Sequence, residues 1–132
     1  MNKCSLLALL ALAALFTTGC AGKHGQTVYE PTTAITLSGA TADSLHQTLV
    51  TTIKTTPWTI VSEKPGEITV RLVRGHGPRA VTAKIAYTPA NYTITLVEAI
   101  DMDYDPAAKT ISRKYNQWIR KLDQRLSRAF AK

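Results

Sequence analysis

The chain has 132 residues, 45% of them hydrophobic, with 16 Lys and Arg against 9 Asp and Glu and a formal net charge of +7. That length admits one domain with a modest core and excludes two, and the positive balance favours anionic neighbours without bearing on fold. Both cysteines, Cys4 and Cys20, fall early in the chain. A domain built from the residues beyond Cys20 has no thiol for a disulfide, a metal site or a nucleophile.

Residues 1–5 are short and polar with one cation, Lys3, and residues 6–16 are an unbroken run of Leu, Ala and Phe. This is the layout of a secretory signal. Eleven helical residues rise only about 17 Å against a hydrocarbon core of roughly 30 Å, so the run is too short to span a bilayer, and no later segment is longer. Thr17-Thr18-Gly19-Cys20 comes next and resembles the bacterial lipobox, in which small residues precede a cysteine that becomes a diacylglycerol-modified N-terminus. The resemblance implies a signal peptide over 1–19, lipid on Cys20 and a periplasmic domain. Ala21, rather than Asp, after the cysteine implies the outer membrane by the Gram-negative sorting rule. Two or three acyl chains at about 0.8 kcal/mol per buried methylene anchor stably, where one myristoyl chain does not.

Residues 20–34 hold Gly22, Gly25, Pro31 and polar side chains with little periodicity, and read as a lipidated N-terminus and flexible tether spanning roughly 20 Å. A single domain is expected over 35–132, with Ile35-Thr36-Leu37 either a short strand or a packing segment. Residues 41–54 read as a helix. Thr41 suits the N-cap, Asp43 the first turn, and Leu45, Leu49 and Ile53 form an apolar stripe that Pro57 brings to a stop. The period then becomes two. Trp58, Ile60 and Ser62 alternate with Thr59, Val61 and Glu63; Pro65-Gly66 turns the chain; 67–74 continues with Ile68, Val70 and Leu72 on one face. After the Gly75-His76-Gly77-Pro78 loop, strands at 80–87 and 92–98 bury Val81, Ala83, Ile85, Tyr87, Tyr92, Ile94 and Leu96. Thr69, Arg71, Thr82, Lys84, Thr93 and Thr95 fall on the outer face. Residues 101–108 form a polar connection, and 110–130 a helix with Ile111, Tyr115, Trp118, Ile119, Leu122, Leu126 and Phe130 at helical spacing. The expected fold class is α+β: a two-layer sandwich of helix, four-stranded antiparallel meander and helix, with both helices on one sheet face.

The block from Trp58 to Leu122 carries Trp58, Pro65-Gly66-Glu67-Ile68, Arg74-Gly75-His76, Ala80-Val81, Ile85-Ala86-Tyr87, Tyr92-Thr93-Ile94, Tyr104-Asp105 and Tyr115-Asn116-Gln117-Trp118. In these it resembles an uncharacterised family of small proteobacterial lipoproteins. That family has no established activity, so the resemblance implies fold and location only.

Candidate chemistry is sparse. Asp101-Met102-Asp103-Tyr104-Asp105 begins like a calcium loop, but the sixth and twelfth positions, Gly and Glu in an EF-hand, are Pro106 and Ser112 here, so no metal is expected. Arg71, Arg74, His76 and Arg79 around a glycine-bordered loop are the candidate anion site. His24, His46 and His76 show no metalloprotease spacing, and there is no nucleophile elbow. Glu63, Glu67 and Asp101 are the carboxylates available for glycan hydrolysis, with nothing to single them out. The expectation is a non-enzymatic interaction module of the cell envelope without a cofactor, the alternative a binder of lipopolysaccharide or a peptidoglycan fragment. Nucleic acid is excluded by the compartment.

Overall fold

The structure, a computed structural model, describes residues 25–131. The signal-like run, the Thr17-to-Cys20 motif and Ala21 lie outside them. In chain order the elements are β1 (Gln26–Thr27), β2 (Thr32–Ala34), α1 (Ala42–Lys54), β3 (Thr59–Lys64), β4 (Glu67–Val73), β5 (Ala80–Tyr87), β6 (Asn91–Ile100), β7 (Thr110–Ile111) and α2 (Arg113–Ala129).

Local chemistry sets the ends of α1. Thr41 accepts from the Ser44 amide at 3.2 Å while Ser44 accepts from the Thr41 amide at 3.0 Å, a reciprocal capping box. At the other end the Thr55 and Thr56 hydroxyls donate to the Thr52 and Ile53 carbonyls, each at 2.6 Å. The same two carbonyls, in the last turn where a helix runs out of its own donors, also accept from the Thr55 and Thr56 amides at 3.0 and 2.9 Å. Leu45, Leu49 and Ile53 are fully buried on one stripe.

The sheet is antiparallel with order β2-β6-β5-β4-β3. It has five strands rather than the four expected, and β1 pairs with β7 in a separate two-stranded piece. Both additions come from the stretch read as a tether. The domain therefore takes in residues 26–34 instead of starting at 35. Strands of two and three residues are too short to show a period, and they form here because partners elsewhere in the chain meet their backbone groups. The Val28 amide donates to the Lys109 carbonyl at 2.9 Å, Ile94 to Pro31 at 3.0 Å, and Ile35 to Ala90 at 2.8 Å. Ile35 packs into the core rather than extending the strand.

Side chains of α2 complete the attachment of this N-terminal strap. Asn116, buried in the apolar face of the helix, accepts from the Tyr29 amide at 2.9 Å and donates to the Thr27 carbonyl at 2.8 Å and to Gln26 Oε1 at 3.3 Å. Asp123, the one acid of α2, accepts from the Thr33 hydroxyl at 2.8 Å and from the Tyr92 hydroxyl at 2.6 Å. The Arg120 guanidinium lies 4.7 Å over the Tyr29 ring.

The helix α2 starts at Arg113, not at 110. Thr110 and Ile111 are taken by the pairing with β1, Lys109 has a left-handed φ of 52°, and the Ser112 amide donates to the Met102 carbonyl at 2.9 Å. In the 101–105 connection Asp101 and Asp103 are also left-handed, a conformation aspartate tolerates. Asp105 accepts from the Ala107 and Ala108 amides at 3.0 and 3.1 Å, so this acid shapes a turn.

Buried residues of both helices and alternate residues of β4, β5 and β6 make one core cluster. Thr82, expected on the open face, is nevertheless buried: it sits on the central strand in register with Arg71 on one side and Glu98 on the other.

Three substitutions test this packing. Asn116→Ala strands the Tyr29 amide and the Thr27 carbonyl, and should cost about 2–4 kcal/mol in denaturant unfolding, with faster amide exchange at Tyr29. Burial raises the ionisation of Tyr92 and Tyr115 well above the ordinary value; for Tyr92 the bond to Asp123 adds to the shift. The folded state keeps these protons after unfolded tyrosines lose theirs. Stability is therefore full below about pH 10 and falls as pH rises above it. The Tyr115 hydroxyl is buried with no hydrogen-bond partner. Tyr115→Phe should be neutral or stabilise by up to about 1 kcal/mol and soften the alkaline loss, while Tyr92→Phe should destabilise by about 1–2 kcal/mol.

Candidate functional site

Strand β3 carries a bulge. Ile60 faces Val70 of β4, but Ser62, not Val61, faces Thr69, and Glu63 faces Ile68. Val61 is the extra residue and stands 52% exposed. An inserted residue reverses which face each later side chain takes. Simple alternation groups Glu63 with Thr59 and Val61; the bulge turns it onto the face covered by α1.

There it meets His46. Glu63 Oε2 lies 3.0 Å from His46 Nε2, and His46 Nδ1 lies 2.6 Å from the Tyr87 hydroxyl. The simplest proton arrangement that satisfies both contacts has Nε2–H donating to the carboxylate and the phenol donating to Nδ1. Tyr87 comes from β5 and is buried; the ring of His46 is tilted 47° to it at 5.9 Å. The three side chains thus tie α1 to β3 and β5. They line a cavity of about 290 Å³ with Asp43, Lys64 and the Pro65-Gly66 turn. Carboxylate, imidazole and hydroxyl in this order form a chain along which a proton can move. Both imidazole nitrogens are already engaged within the protein, so the ring has no nitrogen left to ligate a metal.

A second cavity of about 210 Å³ opens at the other end of α1. Thr55, Thr56, Pro57 and Trp58 form one wall, and Lys121, Arg125 and Arg128 of α2 supply cations along the other. The sole ion pair among the described residues is His46–Glu63, so no described carboxylate lies within ion-pair distance of these cations.

The residues singled out from the sequence are placed differently. Arg71 stands in β4 opposite Thr82, among the residues that alternate with the core positions. Arg74, His76 and Arg79 lie in the β4–β5 loop, where the Arg74 amide donates to the Arg79 carbonyl at 3.2 Å. The Arg79 side chain turns to the Asp101 carbonyl at 3.4 Å. None of the four lines either cavity described above. Glu63, Glu67 and Asp101 are not brought together. Asp101 is next to the strand end that pairs with Ala80, which pairs with Val73, six residues along β4 from Glu67 and therefore about 20 Å away. Cys20 lies outside the described residues. Among the described residues no group of three or more His, Cys, Asp or Glu is placed to hold a metal ion, and no helix is long and apolar enough to cross a membrane.

The His46 cluster escapes sequence reasoning because each member has an ordinary address. His46 sits beside the apolar stripe, Tyr87 inside, and Glu63 on the wrong side by alternation. A charged residue in an otherwise β-like run is the only available signal.

No protein-family model matches the chain, and no curated protein does.

The cluster is expected to behave as a clamp. In a double-mutant cycle, His46→Ala and Glu63→Gln should couple by about 0.5–1 kcal/mol, the modest value expected for a half-exposed pair. Deletion of Val61 should abolish that coupling, because Glu63 then returns to the other face.

Proposed function

We propose that this chain is a bacterial lipoprotein, lipidated on Cys20 and facing the periplasm from the outer membrane, whose domain is a non-enzymatic interaction module of the cell envelope. The observation that carries the reading is the order of segments: a short apolar run, small residues, then Cys20, and six residues later the first strand of a folded domain. The resemblance to small proteobacterial lipoproteins agrees with it. In this reading the helices share one face of the sheet. The face bearing Thr69, Arg71, Lys84, Thr93 and Thr95 stays free. The domain folds without cysteine, as a lipid-blocked Cys20 requires.

The alternative, a binder of an anionic envelope ligand, draws support from the cavity between Trp58 and the cations of α2 more than from the loop of Arg74, His76 and Arg79. Three cations beside an apolar wall suit a ligand that carries both anionic groups and a hydrophobic part.

Intact mass of the mature protein, with fractionation of the envelope, tests the leading reading. The expected mass is that of residues 20–132 plus diacylglyceryl and acyl groups, recovered in outer membranes. An unmodified N-terminus would end it. Cys20→Ser should release the protein from the membrane fraction.

A further inference from the structure

We propose that the solvent face of α2 docks along an anionic phospholipid surface, holding the domain with this helix against the membrane. The orientation rests on the reading that Cys20 carries the lipid; the surface itself can be tested without it.

The helix carries Arg113, Lys114, Arg120, Lys121, Arg125 and Arg128, all exposed. Its apolar residues Tyr115, Ile119, Leu122 and Leu126 are buried in the core. They are closed to insertion, and the contact with a membrane is electrostatic. Among the described residues none of the six cations is in an ion pair, the sole pair there being His46–Glu63. Asp123, the one acid of the helix, accepts from the Thr33 and Tyr92 hydroxyls and pairs with none of the described cations. A cluster of four to eight basic side chains beside a membrane anchor is the pattern that recognises anionic headgroups, and its attraction falls off within a Debye length of about 8 Å.

The second observation is where the described chain begins. A Cβ built on Gly25 would lie 3.2 Å from the Thr110 side chain, and Thr110 is three residues before the first residue of α2. Cys20 is five residues upstream of Gly25, so the lipid attaches at most about 18 Å from Gly25, and Thr110 beside it is within about 11 Å of the start of α2. The helix itself, 17 residues, is about 25 Å long. The strap, clipped to α2 by Asn116, thus delivers the anchor to the edge of the basic face. Short tethering raises the effective concentration of that face at the surface.

Other charged groups set the limits of the contact. Asp101, Asp103 and Asp105 lie in the connection leading to β7, near the N-terminal end of α2, and oppose docking there. Lys121 and Arg125, two to three turns along, are the cations that read the contact most clearly.

The test uses the chain from Ala21 onward, which contains every described element and no lipid. It is mixed with vesicles of phosphatidylglycerol and phosphatidylcholine, or of phosphatidylcholine alone. Binding is expected only to the anionic vesicles, falling at least about tenfold between about 50 and 500 mM salt. Lys121→Gln with Arg125→Gln should weaken it about tenfold. Lys84→Glu, which changes net charge equally but lies on the sheet, should leave it within about twofold. Equal losses in the two variants would reduce the effect to net charge and overturn the docking face. Absence of binding to anionic vesicles at low salt would overturn it as well, and binding to peptidoglycan sacculi in its place would assign the face to a glycan. None of these results alters the mass measurement that tests lipidation of Cys20.

Discussion

A carboxamide buried in the apolar face of a helix is costly unless its polar atoms find partners. Asn116 finds them in the backbone of residues 27 and 29 and the side chain of Gln26. That exchange holds the N-terminal strap across α2, and much of the structure depends on it. The strap supplies β1 to β7 and β2 to the edge of β6, and the pairing at β7 sets where α2 can begin. It also blunts an exposed strand edge, since Pro31 and Glu30 meet amides of Ile94 and Leu96 that would otherwise stay open. The lone acid of the helix serves the same end through Thr33. The consequence for function is positional: the chain enters the domain beside the N-terminus of its most basic helix.

The two bulges do for side chains what the strap does for the backbone. Val61 in β3 sends Glu63 to His46. In β6, Leu96 faces Ala83 and Glu98 faces Thr82, so Val97 is the inserted residue. Ala99 is then returned to the core side, where it packs against the cluster. Val61 and Val97 are both more than half exposed. Their exposure is the result of backbone geometry and does not by itself mark a binding patch.

Much of the domain was legible from pattern. Leu45, Leu49 and Ile53 marked α1, and Thr41 marked its cap. The strand at 80–87 matches β5 at both ends, because Gly77-Pro78 precedes it, Pro89 follows it, and the inward residues alternate without interruption. The strap was not legible. Its strands are too short for a period, and its composition is that of a loop. The one hint lay elsewhere, in an asparagine on the buried face of the last helix, and a polar residue there announces a partner without naming it.

By itself the sequence determined the elements whose identity depends on local repetition: two amphipathic helices, four successive strands, and the charge carried on the outer side of α2. It also holds the whole of the case for lipidation at Cys20, which concerns residues outside the described fold. Tertiary structure alone decided which distant groups meet. Hydrogen bonds over 87 to 90 positions, from the Tyr29 amide to Asn116 Oδ1 and from Asn116 Nδ2 to Gln26 Oε1, leave no periodic trace. A bulge shifts register by one residue without any change of composition. The triad of Glu63, His46 and Tyr87, and the separation of Arg71 from the cavities, both result from such non-local geometry.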